Sequence, residues 1–363
     1  METIKIYEAL RTVIDPQTGR DIVASGRIQK LTVEAPAVNF ELQVTGLDAQ
    51  TKSSINFACI GAIQSVYPQA EVNVHMLSQT PNATAAPKSQ IPHVKNIIAV
   101  ASGKGGVGKS TVAVNLAVAL KARGASVGII DADLYGPSLP TMFGLQGQRP
   151  KVQNIHGKAR ITPIEVHGIP VMSIGFIIEP EQAVVLRGPR LGSIIKQFFN
   201  DVTWPPLDYL VVDLPPGTGD IQLTMVQTVP VTGAVLVTTP QQVAVADAIK
   251  AMNMFLLPSV GVPILGVVEN MAWFTPEELP DNKYYLFGEG GGKQLAKMSQ
   301  TMLLGQIPIV QGIREAGDSG RPAFLQPNKI ITDAFAKVAD NTMRQLVIRN
   351  EMLPPTQMVG MQQ

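Results

Sequence analysis

Residues 97–111 read IIAVASGKGGVGKST and concentrate glycines, lysines and hydroxyls in one place. Gly103, Gly105, Gly106 and Gly108, with Val107 among them, allow tight turns and close approach of the backbone to a ligand. Successive N–H groups leading into a helix make a cradle for phosphate. Lys109 would reach the outer phosphates, and Ser110, with Thr111 behind it, would offer a hydroxyl to Mg²⁺. The GxxxxGKS spacing, with an apolar strand before it and a helical run after it, separates this loop from an ordinary Gly-rich turn. Lys104 is a second lysine inside the loop. Two ammonium groups so close repel each other unless a polyanion neutralises both, so the pair makes sense with nucleotide bound.

Three carboxylates belong to the same chemistry. Asp131 and Asp133, in DADLYGPS, follow the buried run 126–130. The C-terminal ends of strands are where ligands gather in an open parallel sheet. Acidic residues there suit Mg²⁺-linked water and a γ-phosphate, although both could simply cap turns. Asp213 ends the apolar run 209–212, the position of an aspartate that holds Mg²⁺ through water. The following LPPGTGD is rigid at Pro215 and Pro216 and permissive at Gly217 and Gly219, which suits a segment that senses phosphate.

Strands are expected at 97–100, 126–130, 209–212, 235–239, 264–268 and 303–305, with helices over 112–124, 193–199, 242–256 and 330–348. The fold class is therefore α/β, a mostly parallel sheet flanked by helices. Within 159–174, two strand-like runs flank His167-Gly168 as a hairpin. His156 and His167 read as surface imidazoles. Ahead of this domain, residues 1–77 form a small α+β unit: a helix on Ile6, Leu10 and Ile14 closed by Asp15-Pro16, strands 28–33 and 38–44, a helix over 54–66 and a strand over 71–77. Residues 78–93, SQTPNATAAPKSQIPH, read as a linker. The domain itself is placed at 94–350, with 351–363 as a frayed tail.

KGGVGKS together with DLPPGTGD resembles the deviant P-loop ATPases related to nitrogenase iron protein, MinD and ParA. Over nearly its whole length the chain is similar to the Mrp/ApbC iron–sulfur cluster carriers. The DPQTGRDIVASGRI stretch resembles the small domain of iron–sulfur assembly proteins. The resemblance implies a homodimeric switch that binds and hydrolyses ATP slowly with Mg²⁺ and binds or transfers iron–sulfur clusters, a [4Fe–4S] cluster among them, to apo-proteins, working with iron–sulfur assembly proteins and apo-protein acceptors. Lys104 would reach the partner subunit's nucleotide, Asp133 would position the attacking water, and Asn270 of ENM would read the adenine edge, a turn cap being the plainer role. Family members bridge a [4Fe–4S] cluster through a CxxC between ENM and FGxGG. Here that interval, WFTPEELPDNKYYLFGEGGG, has no cysteine. Its Glu277 and Glu278 are hard ligands and read as caps of a short helix after Thr275-Pro276.

Formal net charge is +1 over 363 residues, with no basic tail, so neither nucleic acid nor a membrane surface is expected as partner. The single cysteine, Cys59, excludes an intrachain disulfide or zinc ribbon. Inside INFACIGAI it reads as a core residue, a cluster ligand shared between subunits being the alternative. No signal peptide or spanning run is evident, which points to the cytoplasm. A MinD/ParA-like positioning ATPase, or an assembly factor that does not itself hold a cluster, are the other functions these motifs allow.

Overall fold

A computed structural model describes residues 3–34, 36–44, 47, 49–77, 93–133, 136–155, 157–177, 194, 197–219, 222–223, 226, 230–276, 278–279 and 282–354. The expected linker up to residue 92, the tail from 355, His156 and Glu277 lie outside them. The chain divides into two compact units, one of residues 1–86 with 350–354 and the other of residues 87–349 with 355–363.

The small unit runs α1 (Thr3–Leu10), β1 (Ile28–Glu34), β2 (Ala37–Gln43), α2 (Ala49–Val66) and β3 (Glu71–Leu77). Its sheet has the order β1-β2-β3, with β1 antiparallel and β3 parallel to β2. Val38, Phe40 and Leu42 alternate inward from β2, and Ile55, Cys59 and Ile63 form the inner stripe of α2 at fourfold spacing. The first helix is shorter than its apolar spacing suggests. It stops at Leu10, and Ile14 is 56% exposed, bridged to Asp21 on a loop. The chain leaves the helix because Asp15 is buried and fixed from outside it. Arg27 pairs with Asp15 at 2.9 Å, and the same carboxylate accepts from the Gln17 N–H at 3.1 Å and the Thr18 hydroxyl at 2.9 Å.

The large unit is an eight-stranded sheet. Its strands are β4 (Val94–Ala101), β5 (Val127–Asp131), β8 (Ile164–Val166), β9 (Ile169–Ser173), β10 (Leu207–Asp213), β11 (Gly233–Thr238), β12 (Ile264–Phe274) and β13 (Leu303–Ile309). They lie in the order β13-β12-β11-β4-β10-β5-β9-β8, all parallel except the edge strand β8. Continuous apolar runs such as VGIID suit a sheet covered on both faces. Alternate residues of β4 feed two cores: Ile97, Ala99 and Ala101 one, Ile98 and Val100 the other. Helices α3 (Lys109–Ala122) and α8 (Lys329–Met352) fill the second. Helices α5 (Gln242–Leu256) and α6 (Gly291–Met298) contribute Phe255 and Leu295 to the first. The chain also forms the short helices α4 (Leu139–Met142) and α7 (Gln311–Asp318).

The hairpin at His167-Gly168 is present, both residues at positive φ, as a two-residue turn matching strand twist requires. Its second strand joins the main sheet beside β5. A second hairpin, β6 (Lys151–Ile155) and β7 (Lys158–Thr162), stands apart. Where a short helix was expected after Thr275-Pro276, the described residues form a turn, with the Leu279 N–H on the Pro276 carbonyl and Glu278 exposed. The chain then closes back through paired Phe274 and Tyr284.

Candidate functional site

Strand order decides which side chains meet. Strand β4 leaves the sheet at Ala101, crosses through α3, and returns as β5 two positions away. The place between them is taken by β10, so Asp213 lies in register with Val100 on one side and Asp131 on the other. The loop of residues 102–108, Asp131, Asp133, Asp213 and Asn270 thus share the C-terminal edge of one sheet. Ligands bind at that edge in open parallel sheets.

Three glycines of the loop are required, by backbone conformation or by close approach. Gly106 and Gly108 both have φ +81°. A Cβ on Gly108 would fall 2.1 Å from the Asn270 Nδ2, and one on Gly103 would fall 2.0 Å from the backbone of Asp247 in α5. The loop is also pinned from within and without. The Ser102 hydroxyl donates to the Lys104 carbonyl at 2.9 Å, and the Gly217 N–H donates to the Ser102 carbonyl at 2.9 Å. Asn270 donates its amide to the Val107 carbonyl at 2.9 Å. The residue expected to read a base is therefore tied to the phosphate loop in this conformation.

Lys109 opens α3 and is 6% exposed. Its ammonium lies 2.6 Å from Asp213 Oδ1, 3.2 Å from the Ser110 hydroxyl and 3.8 Å from Asp133 Oδ2. Burial pushes the Asp213 carboxyl above its usual range, against the pull of Lys109 and the Ser110 hydroxyl. Burial also pushes Asp131 upward, with the charge of Asp213 adding to it, against the pull of the Leu139 and Asp133 N–H groups. Asp213 Oδ2 and Asp133 Oδ1 are buried without a hydrogen-bond partner. Buried oxygens left bare are costly unless something meets them. Two hard carboxylate oxygens and a hydroxyl beside a phosphate cradle fit Mg²⁺ and its waters. Ser110 and Asp213 are the residues that would hold it. An ammonium has three donors, so Lys109 can meet a phosphate entering the cradle in addition to, or in exchange for, Asp213.

Lys104, by contrast, is exposed, and no ion pair to it occurs among the described residues. It borders a cavity of about 100 Å³ lined also by Gly106, Gln241, Met271 and Phe287.

Four site residues were not singled out in the sequence. Asn115 on α3 donates to the Thr111 carbonyl and accepts from the Phe324 N–H, both at 2.8 Å, joining the phosphate helix to residues 321–325. A lone Asn within VAVNLAVAL carries that signal, because a buried amide needs partners. Ser173, which ends β9, donates to Asp131 at 3.0 Å. Glu269 beside Asn270 accepts from the Gly292 N–H at the start of α6 and from Gln306. Gln222 donates its amide to the Pro215 carbonyl. Cys59 is fully buried, its thiol pushed up to about 12 by burial, and it lies in the small unit. No group of three or more His, Cys, Asp or Glu able to hold a metal occurs among the described residues. Nor, among them, is any helix long and apolar enough to cross a membrane.

Residues 93–343 match the family described as NUBPL iron-transfer P-loop NTPase, and residues 4–76 match that of the iron-sulfur cluster assembly protein. A Synechocystis protein named iron-sulfur cluster carrier protein is 45% identical over 341 residues, spanning 93% of this chain and 96% of its own. One of the same name from Escherichia coli K12 is 48% identical over 262 residues, 72% of this chain and 69% of its own. Among solved structures, the nucleotide-binding protein of Archaeoglobus fulgidus in complex with ADP aligns at 39% identity. Its TM-score is 0.57, covering 66% of this chain and 91% of that one. The cell division ATPase MinD of Pyrococcus furiosus aligns with a TM-score of 0.51 at 26% identity, covering 69% and 99%.

Proposed function

This chain belongs to the NUBPL iron-transfer P-loop NTPase family, and from that premise we propose that it is a slow, Mg²⁺-dependent ATPase. It works as a homodimeric switch in the delivery of iron–sulfur clusters to apo-proteins in the cytoplasm. The observation that carries the reading is the Lys109–Asp213 pair, with two bare carboxylate oxygens beside it. Lys109 meets the ATP phosphates, in addition to Asp213 or in exchange for it, and neutralises the outer ones. Asp213 and Ser110 would hold Mg²⁺, whose charge would offset that of the outer phosphates. Asp133 orients water for attack. Because Gly217 hangs on Ser102 at the base of the loop, a shift in the phosphate loop is transmitted to residues 214–219. Lys104 serves the partner subunit's nucleotide.

Within that role, the chain does not supply the ligands of the cluster it moves. Cys59 is buried with its thiol held protonated, and a thiolate is what iron needs. The thiolates come instead from the donor and the acceptor, with this chain as the nucleotide-driven assembly factor between them.

Anaerobic reconstitution with iron and sulfide, followed by transfer from a loaded donor to an apo-acceptor, tests both parts. The expected result is far fewer than about four irons per dimer, with transfer faster in MgATP than in MgADP. A stoichiometric cluster on the isolated chain would refute the assembly-factor role. Transfer indifferent to nucleotide, with ATP-dependent pelleting on liposomes or DNA, would favour a positioning ATPase.

A further inference from the structure

We propose that Asp131 is the positioning residue that sets Asp133 for hydrolysis, one carboxylate fixing both ends of the segment between them and α4. The inference rests on the reading of Asp133 as the residue that orients water. Asp131 ends β5 and is fully buried. Its Oδ1 accepts the Asp133 N–H at 3.1 Å. Its Oδ2 accepts the Leu139 N–H at 3.1 Å, where α4 begins, and the Ser173 hydroxyl at 3.0 Å. Ser173 is also fully buried and is held in turn, its oxygen accepting the Gly175 N–H at 3.0 Å. Three chain segments therefore converge on one side chain: the end of β5, the start of α4 and the end of β9.

The backbone of Asp133 is thus fixed, while its side chain is left with work to do. Oδ2 lies 3.8 Å from Lys109, and Oδ1 is buried without a partner. A carboxylate placed this way is held by its own N–H rather than through its functional atoms, which leaves those atoms for a ligand. Only a carboxylate can do what Asp131 does. Both of its oxygens accept, and each meets a backbone N–H, which can only donate. An Asn of the same shape can accept from Asp133 or from Leu139, but never from both. Its amide must face one of the two N–H groups.

The test compares the full-length parent with Asp131→Asn and Ser173→Ala in MgATP turnover, and in the affinity and stoichiometry of ATPγS binding. Asp131→Asn is expected to lower kcat per bound nucleotide about tenfold to a hundredfold, the scale of a small misplacement of a reacting group. The Kd for ATPγS should stay within about threefold of the parent, with one nucleotide still bound per chain. Ser173→Ala keeps both backbone bonds and should show a smaller fall in the same direction. Unchanged kcat in Asp131→Asn would overturn the proposal. So would a loss of turnover matched by a loss of bound nucleotide, which marks a merely structural residue. If Asp131→Asn does not fold, Ser173→Ala decides: lowered kcat at parental Kd supports the positioning role, and parental kcat refutes it. A parent chain without turnover removes the functional reading itself, a failure distinct from variants that match an active parent.

Discussion

Lys104 and Lys109 share one loop and opposite surroundings. Lys109 is buried against Asp213 and Ser110, whereas Lys104 is exposed beside a small cavity. Removing the Lys109 ammonium takes away the charge that meets the phosphates and strands Asp213 in the interior. Lys109→Ala should weaken nucleotide binding by about 10²-fold or more, read by calorimetry with MgATPγS. Lys104→Ala should leave ground-state binding within about threefold of the parent and lower kcat by about 10²-fold, because its contribution is made at the transition state. Native turnover in Lys104→Ala would rule out its action on the partner's nucleotide. These two proposed roles can be framed from the sequence because phosphate binding is local: eight consecutive residues, GKGGVGKS, carry the pattern. Those of Asp131, Ser173 and Asn115 cannot, because their meaning lies in hydrogen bonds that span 8, 42 and 209 positions. For Ser173 and Asn115 the sequence shows only a polar residue in apolar company, and for Asp131 a strand-end carboxylate that either serves a ligand or caps a turn.

At the scale of elements, DPQTGRDIVASGRI is a folding device in the small unit. Asp15 gathers Gln17, Thr18 and Arg27, while Arg27 also donates to the Gln43 carbonyl at 2.9 Å and to Gln17 at 2.7 Å. Burial pushes the Asp15 carboxyl up, but Arg27, the Gln17 N–H and the Thr18 hydroxyl outweigh it and hold the group below 3.8. A depressed native value means the unfolded chain takes up the proton first. The contribution of Asp15 is therefore complete above pH 3.8 and is lost as the pH falls through the lower native value. Calorimetry of the full chain should show the transition of the small unit moving down in acid. Asp15→Asn should lower that transition at neutral pH by about 3 kcal/mol and flatten its acid dependence. An unshifted transition would show that the ion pair contributes nothing net. This is also where periodicity misleads. Ile14 continues the spacing of Ile6 and Leu10, but the demand of Asp15 for buried donors pulls the chain off the helix before Ile14 is reached. Buried parallel strands such as β5 and β10 announce themselves as apolar runs, whereas β6 and β7, KVQNI and KARIT, pair with little apolar pattern to betray them.

For the whole molecule, the division of the cores matters most. One hydrophobic cluster uses only residues between Ile6 and Met76, and the other two use only residues from Val94 onward. A unit of this size buries enough surface to fold alone, and every residue assigned here to nucleotide chemistry lies within it. A chain beginning at residue 87 should therefore unfold in one cooperative transition and bind MgATPγS within about threefold of the full-length affinity. Delivery is a different matter. The small unit matches the iron-sulfur cluster assembly protein family, and none of the residues proposed for nucleotide chemistry belongs to it. If it meets the donor or the acceptor, the shortened chain should keep its ATPase rate and lose the nucleotide-dependent acceleration of cluster transfer. Full transfer by the shortened chain would place partner recognition on the ATPase unit. Loss of ATP binding would show that the two units are not energetically separable, despite their separate cores.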